Sequence, residues 1–414
     1  MLNKDNVREL AYVVVVDDVK NHPNADRLDL VTINGWQCVT GRDEFKKGDI
    51  GIFFEIDSKL PEKEPWSSME FLASKHFKIK AQKIRGLMSM GFVVHPSILG
   101  WKSGFVSDGH YGVRDNEGKY HFYDDESRFL TKQLEVTYAV AEDNTRKAPT
   151  IDKYKKMAQR HPKAARTWIW RILWKSKLGK DILFFFFGKN IRKDGWPSWV
   201  VKTDEERIEN MPWIFTERDE NGEKYWWIPT EKCDGSSTTF TLKKSNSPFG
   251  KDEFLVCSRN VVFDKPDKKC FYDTNIYTEM ANKYNVEDVL KAFLDSNTEC
   301  NWVTIQGETF GAKVQNRDYS MSDRDLLCFN LIDSINGRWN SNEAAKWVEN
   351  HGMKWVPIFE KMQLPDTLEE LRSYVHSTPS VIDGGMREGI VFRSLDGTRS
   401  FKCVDPEYLL AYHC

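Results

Sequence analysis

The sequence predicts an α+β protein in which a small, β-rich N-terminal domain precedes a larger domain of antiparallel sheets and helices. Two observations support this class. Short β-branched and aromatic runs separated by turn residues fill residues 1–130, whereas from residue 196 onward such runs alternate with helical stretches. A strongly basic segment lies between the two regions, and 414 residues are enough for about two or three domains.

The first region contains three clear strand candidates, at residues 12–16, 28–33 and 51–56. Each is rich in Val, Ile, Leu or Phe, and such residues suit a pleated, half-buried backbone. Turn signals separate them, for example the Asn-Gly pair at 34–35 and Lys-Gly-Asp at 47–49. Several short strands at this spacing predict a small barrel or sandwich.

Residues 150–194 differ sharply in charge from the rest of the chain. They hold 13 Lys or Arg against three Asp, a net charge of +10, although the formal net charge of the whole chain is −2. Helices are predicted over 151–160 and 163–177, with aromatic residues between the basic ones. This composition suits contact with a nucleic-acid backbone. A basic amphipathic helix also suits a membrane surface, and a linker helix that packs its aromatic residues is a third interpretation.

The region from residue 196 to the end predicts strands and helices in alternation. The strand candidates lie at 253–258, 302–307, 326–332, 389–393 and 399–404. Helices are predicted over 279–295 and 343–350, and a third begins at Thr367, which has the spacing of a capping box with Glu370. This pattern predicts antiparallel sheets with helices packed on them.

Composition excludes several classes of protein. Hydrophobic residues make up 40% and charged residues 29%, values that suit a globular protein with substantial cores. Apolar runs such as 182–187 are far too short for a membrane span, and the first residues lack the apolar core of a signal peptide. The eight cysteines form no Cys-x-x-Cys pair, which argues against a zinc site or a disulfide framework. We therefore expect a soluble, intracellular protein in a reducing compartment.

The chemistry centres on the segment Glu231-Lys232-Cys233-Asp234-Gly235. A lysine amine is a nucleophile only when it is unprotonated, so its pKa must be lowered, and desolvation or a nearby metal charge can lower it. The pattern Lys-x-Asp-Gly alone is weak evidence for such a nucleophile, because a turn with Asp-Gly after a strand is common. The segments that follow it in the chain are Ser258-Arg259-Asn260, Gln306-Gly307-Glu308, Phe329-Asn330, 388–393 (EGIVFR) and Ser400-Phe401-Lys402.

In order and character these segments resemble motifs I, Ia, III, IIIa, IV and V of the covalent nucleotidyltransferases, which include RNA ligases, DNA ligases and mRNA capping enzymes. The resemblance covers residues 231–402. It implies that Lys232 attacks the α-phosphorus of ATP, expels pyrophosphate and forms lysyl-AMP. The implied cofactors are ATP and a divalent cation, Mg²⁺ or Mn²⁺, bound largely through water and phosphate. Catalysis then consists mainly of positioning and charge neutralisation on phosphate oxygens.

The resemblance implies nucleotide contacts for four side chains. Glu231 reads the edge of the adenine and Phe329 stacks on it. Arg259 contacts the ribose or the 5′-phosphate of the RNA, and Lys402 contacts the α-phosphate and stabilises its developing charge. The alternative for Phe329 is a core residue, because strand aromatics usually lie in the core. Arg259 in a solvated turn and Lys402 at a solvated strand edge are the corresponding alternatives.

The acidic motif residues are implied to act around Lys232. Asp234 and Glu308 contact the ribose hydroxyls or the water shell of the catalytic metal, and Glu308 is also an ATP contact. Glu388 helps to hold the metal, unless it merely ends a loop before a glycine. The predicted catalytic set is therefore Lys232, Asp234, Glu388 and Lys402, with Asp234, Glu308 and Glu388 as metal ligands through water.

Motif V departs from the family pattern. It often carries two lysines separated by one residue, and here Ser400 stands at the first of them, before Lys402. Arg399 is adjacent but points to the other face of a strand. Either Lys402 alone carries the α-phosphate contact, or Arg399 compensates.

The N-terminal region resembles OB-fold modules that bind tRNA and other nucleic acids. The resemblance rests on residues 22–28 (HPNADRL), 45–49 (FKKGD) and 83–91 (KIRGLMSMG). It implies an OB-fold β-barrel in which Lys83 and Arg85 are candidate RNA contacts. A barrel whose loops are merely polar is the alternative.

Domain order points to one branch of the superfamily. DNA ligases and capping enzymes place an OB domain after motif V, and here only 12 residues follow Lys402. An OB-like module before the catalytic domain is similar to the RNA ligase 5 family, and the segment 196–207 resembles the beginning of that family's catalytic domain. The predicted division is an OB domain at 1–130, a basic helical linker or insert at 131–195, and a nucleotidyltransferase domain with ATP-grasp-like sheets at 196–414.

This family resemblance implies an ATP-dependent RNA ligase. AMP moves from Lys232 to an RNA 5′-phosphate, giving an AppRNA end, and an RNA 3′-OH then displaces the AMP. The implied substrate is RNA with 3′-OH and 5′-phosphate ends, as at nicks in a duplex held through its backbone, and the protein is expected to be a monomer. Two alternatives stay open: end joining of the DNA ligase type, and a non-catalytic nucleic-acid-binding protein on an inactive scaffold.

Overall fold

The computed structural model describes most of the chain on both sides of the basic segment. The described residues are 1–4, 7–107, 110–138, 167–174, 176–187, 196–197, 199–202, 204–245, 250–259, 261–263, 272 and 274–413. The helix predicted over 151–160 lies outside them.

The N-terminal domain consists of short antiparallel strands in several small sheets, as predicted. Its strands are β1 (Ala11–Val15), β2 (Asp18–Asn21), β3 (Leu28–Ile33), β4 (Trp36–Gly41), β5 (Ile50–Phe54), β6 (Ser58–Lys59), β7 (Gln82–Ile84), β8 (Leu87–Ser89), β9 (Phe92–Val94), β10 (Lys102–Ser107), β11 (His110–Arg114), β12 (Tyr120–Phe122) and β13 (Thr137–Tyr138). The sheets follow the orders β1-β5-β9, β2-β3-β4, β7-β8, β10-β11-β12 and β13-β6. The three predicted strands correspond to β1, β3 and β5.

Strand β1, at one edge of the sheet β1-β5-β9, is buried on both faces. Val13 belongs to one apolar cluster, whereas Tyr12 and Val14 belong to a second, because successive side chains of a strand point to opposite faces. The second cluster also contains Val404 and Leu409 from the C-terminal part of the chain. The N-terminal domain is therefore packed onto the C-terminal domain.

The N-terminal domain extends past the predicted boundary at residue 130. In β13, Thr137 pairs with Lys59 and Tyr138 with Ser58 on β6, so the domain continues at least to Tyr138. A strand of two residues leaves no periodic pattern in the sequence, which explains why this extension was not predicted.

The basic segment contains two helices among its described residues, α2 (Trp168–Leu173) and α3 (Lys177–Phe187); a short helix, α1 (Glu70–Ala73), lies in the N-terminal domain. Of the helix predicted over 163–177, residues 168–173 are helical, and residues 163–166 and 175 lie outside the described ranges. Trp170 is buried and stacks on Trp174 with 6.0 Å between ring centroids, which agrees with packing for these two aromatics. No helix in the described ranges is long and apolar enough to cross a membrane.

The C-terminal domain contains two larger sheets. The first has the order β14 (Glu206–Arg207), β24 (Ser400–Val404), β23 (Gly389–Ser394), β15 (Trp226–Lys232) and β22 (Met362–Gln363). The second has the order β18 (Val262–Phe263), β17 (Glu253–Ser258), β16 (Ser236–Lys243), β19 (Trp302–Gly311), β20 (Arg324–Asp333) and β21 (Gly337–Arg338). All five predicted strands are confirmed, and their pairings are antiparallel except that of β14 with β24. The fold class is the predicted α+β.

Helices cover these sheets. They are α4 (Ile276–Lys283), α5 (Val286–Ser296), α6 (Ser341–Asn350), α7 (Leu368–Ser377) and α8 (Pro406–Tyr412). Short 3-10 helices lie in the N-terminal region at Trp66–Ser68, Pro96–Leu99 and Glu126–Arg128, and in the C-terminal region at Ile208–Asn210 and Pro212–Phe215. The single helix predicted over 279–295 is wrong. Asn285 adopts a left-handed backbone with φ 46° and divides it into α4 and α5, because a residue in this conformation ends the α-helical hydrogen-bond pattern.

The capping box of α7 is confirmed and gives a stability prediction. The Thr367 hydroxyl accepts a hydrogen bond from the Glu370 N–H, and the Glu370 carboxylate accepts one from the Thr367 N–H. Thr367→Ala is expected to lower the free energy of unfolding by about 1 kcal/mol, because it leaves an N-terminal N–H of the helix without its partner. Urea denaturation measures this loss. Thr378→Ala, at the other end of α7, is the control, and an equal loss there contradicts the prediction.

Candidate active site

Lys232 lies where the chain crosses from one sheet to the other. It is the last residue of β15, and after Asp234 and Gly235 the chain continues in β16 of the second sheet. A side chain at Gly235 would place its Cβ 2.3 Å from the carbonyl oxygen of Thr309. Only glycine therefore permits this close crossing, and the crossing places Lys232 between the two sheets.

Two glutamates meet the Lys232 amine. Lys232 pairs across β15 and β23 with Gly389, which brings Glu388 alongside, and the Glu388 Oε1 atom accepts a hydrogen bond from Lys232 Nζ at 2.6 Å. Glu308 reaches the site from β19, where it pairs with Ser237 of β16. The structure thus brings together three residues that are far apart in the sequence.

These carboxylates set the protonation of the site. Burial alone would lower the pKa of Lys232, but Glu388 and Glu308 outweigh burial and raise that pKa above its ordinary value. Burial, together with the charges of Glu388 and Asp234, raises the pKa of Glu308 to about 8. The protein's own groups thus oppose the predicted lowering of the Lys232 pKa, and a positive charge beside the carboxylates is needed to reverse it.

Asp234 is buried and held by residues that the sequence analysis missed. Its Oδ2 atom accepts a hydrogen bond from the Tyr408 hydroxyl at 2.8 Å and lies 3.0 Å from His413 Nε2, and its backbone N–H donates to the Tyr319 hydroxyl at 2.7 Å. Burial opposes ionisation, but the His413 contact outweighs it and lowers the pKa of Asp234. Helix α8, which follows motif V, is therefore part of the site.

Arg317 connects the segments that carry these partners. Its guanidinium donates to both carboxylate oxygens of Asp383, at 2.6 and 2.7 Å. It also lies over the rings of Tyr319 and Tyr408, 4.4 and 5.4 Å from their centroids. Both tyrosines form hydrogen bonds with Asp234, so Arg317 holds two of the partners of Asp234 in place.

Arg259 and Lys402 converge on one carboxylate, that of Asp204. Arg259 Nη2 donates to Asp204 Oδ2 at 2.9 Å, and Lys402 Nζ lies 3.6 Å from Asp204 Oδ1. Arg8 of the N-terminal domain donates to both oxygens of Asp204, with its Nε atom 3.1 Å from Oδ2. Burial, followed by the positive charge of Arg8, lowers the pKa of Lys402 to about 7. The predicted phosphate contacts therefore belong to a charged cluster to which both domains contribute.

The structure gives both residues of motif V that precede Phe401 partners outside the Lys402 cluster. The Ser400 hydroxyl donates to Glu205 and accepts from Arg338 at 2.8 Å. Arg399 pairs with Glu217 and lies over the ring of Tyr225, with 5.0 Å to the centroid. Arg399 thus lies just before β24 and has its own carboxylate partner, and whether it replaces the missing lysine stays a prediction.

The two residues predicted at the adenine have different surroundings. Both carboxylate oxygens of buried Glu231 accept hydrogen bonds, one from the Ser380 hydroxyl and one from the Val381 N–H at 2.8 Å. Phe329 is half-buried on β20 and packs on the core of the second sheet, while the Arg393 guanidinium lies 5.8 Å from its ring centroid. Contact of either residue with adenine stays a prediction.

The predicted RNA contacts of the N-terminal domain lie on the β7–β8 hairpin. Lys83 and Arg85 are both exposed. The backbone of this hairpin is held by the 22–24 loop, where Asn24 Nδ2 donates to the Arg85 carbonyl at 3.0 Å. The hairpin thus presents two cations to solvent, and their contact with RNA stays a prediction.

Comparison with protein families agrees with this geometry. Residues 225–404 match the family model described as RNA ligase, and residues 10–96 match one described as an OB-fold domain. The chain contains an RNA ligase domain. The matched range of this RNA ligase domain begins just before β15 and ends with β24, so it includes every motif residue from Glu231 to Lys402.

Solved structures of the Naegleria gruberi RNA ligase are similar to nearly the whole chain at 22% sequence identity. The structure with pyrophosphate has a TM-score of 0.69 and covers 98% of this chain and 99% of that chain. A variant without ligand has a TM-score of 0.68 with 98% of each chain covered, and a variant with AMP and manganese has 0.67 with 98% and 99%. This likeness shows the fold, an OB-fold domain followed by the RNA ligase domain. No curated protein matches the chain by sequence.

Proposed function

We propose that this protein is an ATP-dependent RNA ligase of the RNA ligase 5 type, which adenylates Lys232 and seals 3′-OH/5′-phosphate nicks in duplex RNA. One observation carries the proposal: within an RNA ligase domain, the Lys232 amine lies between two sheets with Glu388 Oε1 at 2.6 Å and Glu308 beside it. A lysine without a catalytic role, exposed at the protein surface, would need neither this position between the sheets nor these carboxylate partners. The N. gruberi structures with ATP, AMP and manganese are a second line of support.

The first step follows from these positions. Glu388 accepts a proton from Lys232, and the free amine attacks the α-phosphorus of ATP. A nitrogen–phosphorus bond forms, the bond to the bridging oxygen breaks, and pyrophosphate leaves. Lys402 and Arg259 are the cations that neutralise charge on the phosphate oxygens. An RNA 5′-phosphate then displaces Lys232, and an RNA 3′-OH attacks the resulting AppRNA end and releases AMP.

The acidic side chains around Lys232 fit a divalent cation, Mg²⁺ or Mn²⁺. Glu388 Oε2 is buried and has no hydrogen-bond partner among the described residues, and Glu308 and Asp234 supply further carboxylate oxygens, the ligands that these hard cations prefer. No group of three His, Cys, Asp or Glu side chains in the described ranges is placed to hold one ion. When bound, the cation favours the neutral amine of Lys232 and balances charge on the α-phosphate.

Covalent labelling followed by sealing tests the proposed function. The purified protein, first shown to carry no AMP, is incubated with α-labelled ATP and Mg²⁺ or Mn²⁺. We expect label on the denatured chain, and transfer of that AMP when a nicked duplex with an RNA 3′-OH end and a 5′-phosphate is added. Equal sealing of an all-DNA nick favours the DNA ligase alternative, since the 2′-OH distinguishes RNA from DNA. Absence of label with all four nucleotides leaves a non-catalytic binding protein.

The partners of Asp234 give a further prediction. Tyr408→Phe removes only the hydroxyl that donates to Asp234 Oδ2. Lysine adenylylation is expected to slow roughly 10- to 100-fold, as is usual when a partner of a metal-associated carboxylate is lost. The measurement is the rate of labelling at several Mn²⁺ concentrations. Tyr412→Phe, on the same helix, is the matched control, and equal rates for the two variants contradict the role of Tyr408.

A further inference from the structure

We infer that Arg8 of the N-terminal domain is a positioning residue for the active site, which acts through Asp204 to hold Arg259 and Lys402 in place for the phosphates. The inference rests on the proposed function and assigns the N-terminal domain a part in lysine adenylylation besides contact with RNA. Arg8 lies outside the matched RNA ligase range, and no motif of the sequence includes it.

The geometry gives Arg8 a single orientation. Its Nε and Nη2 atoms donate to the two carboxylate oxygens of Asp204, Nη2 also donates to the Glu205 carbonyl at 3.0 Å, and Nη1 donates to Glu55 at 2.8 Å. The exposed fraction of the Arg8 side chain is 6%. A buried, planar guanidinium with this many acceptors fixes the direction of its carboxylate partner.

Asp204 in turn orients Arg259 and Lys402, the two cations proposed to contact the phosphates. Its Oδ2 atom accepts from Arg259 at 2.9 Å, and its Oδ1 atom lies 3.6 Å from Lys402 Nζ. The N-terminal domain reaches Arg259 a second time through Tyr138, whose hydroxyl lies 3.3 Å from Nη1 and whose ring centroid lies 4.7 Å from the guanidinium carbon. Both cations are therefore oriented by contacts that begin in the N-terminal domain.

The domains are docked by further contacts that do not involve Asp204. Asn210 donates to Glu55 at 2.8 Å and accepts from the Trp36 indole at 2.9 Å and from the Tyr12 hydroxyl at 3.1 Å. This network provides a control, because Trp36→Phe weakens the same interface without touching Asp204, Arg259 or Lys402.

The test compares Arg8→Gln, Asp204→Asn and Trp36→Phe with the wild-type chain, using the rate of Lys232 adenylylation well below each melting temperature. Arg8→Gln and Asp204→Asn are expected to slow the reaction roughly 100-fold, the loss typical of a small misplacement of catalytic groups. Arg8→Lys should recover part of the rate, because lysine keeps the positive charge but cannot donate to both carboxylate oxygens of Asp204 in the way a planar guanidinium does. Trp36→Phe should keep the wild-type rate. If Trp36→Phe is as slow as Arg8→Gln, Arg8 is only an interdomain contact and the inference is wrong.

The pH dependence separates positioning from loss of structure. The charged groups that act on Lys402 are Arg8, Asp204, Arg207, Arg259 and Glu205. Loss of the Arg8 charge raises the pKa of Lys402, whereas loss of the Asp204 charge lowers it. The alkaline decline of the rate should move to higher pH in Arg8→Gln and to lower pH in Asp204→Asn. Decline at the wild-type pH in both variants overturns the inference, whereas an unlabelled wild-type chain refutes the proposed function itself.

Discussion

Lys232→Ala is expected to reduce covalent labelling by α-labelled ATP to background, because the proposed intermediate forms on its amine. The structure offers one competitor. The pKa of Lys402 is lowered to about 7, whereas that of Lys232 is raised, so pKa alone would favour Lys402 as the nucleophile. Geometry favours Lys232, because it lies beside carboxylates that fit a cation, whereas Lys402 is surrounded by Arg8, Arg259 and Asp204.

Two variants and a peptide map decide between the lysines. Lys232→Ala should carry no label, whereas Lys402→Ala should be labelled slowly but in the end to the wild-type extent. Proteolysis of the labelled wild-type chain should place AMP on the peptide that contains Lys232. Circular dichroism and the melting temperature show whether each variant is folded. Label that persists in folded Lys232→Ala would place the nucleophile elsewhere and reject the proposed first step.

The grouping of Glu308 and Glu388 around Lys232 could be expected from the sequence because these residues lie on or directly beside regular strands. The strands at 302–307, 389–393 and 399–404 were recognisable from their apolar runs, and antiparallel pairing then brings Glu308 and Glu388 to the end of β15. The structure adds the reason for Gly235 and Gly389, because a Cβ atom at these positions would lie 2.3 and 2.4 Å from a backbone carbonyl oxygen. Because the motifs lie on or beside predicted strands, their order along the chain was enough to predict which residues lie near Lys232.

The residues that support the site could not be predicted in the same way. Tyr408 lies on a helix of seven residues after motif V, and Arg8 lies more than 200 residues before Lys232 on irregular backbone, so no periodic pattern relates either to the site. The pKa of Lys232 also depended on tertiary structure. The sequence suggested burial and a lowered pKa, but the sheets bring Glu388 and Glu308 close enough to reverse the sign.

Lys402→Ala is expected to lower kcat/KM for ATP in adenylylation by about 100- to 1,000-fold, the usual cost of removing one preorganised charge from a reacting oxyanion. Lys402 is the lysine of motif V, and Ser400 and Arg399 contact Glu205 and Glu217 instead of Asp204. Lys243→Ala, which removes a half-buried lysine of the same domain, is the control. A Lys402→Ala rate equal to that of the control contradicts the assignment.

The pH profile gives an independent check, and its direction follows from the pKa of Lys402. Because that pKa is about 7, the side chain is an ammonium below pH 7 and increasingly a neutral amine above it. Only the ammonium neutralises phosphate charge, so kcat/KM for ATP, which reports the free enzyme, should decline as the pH rises through about 7. Arginine stays charged over this range, so Lys402→Arg should remove the decline. If the decline persists in Lys402→Arg, a group other than Lys402 causes it.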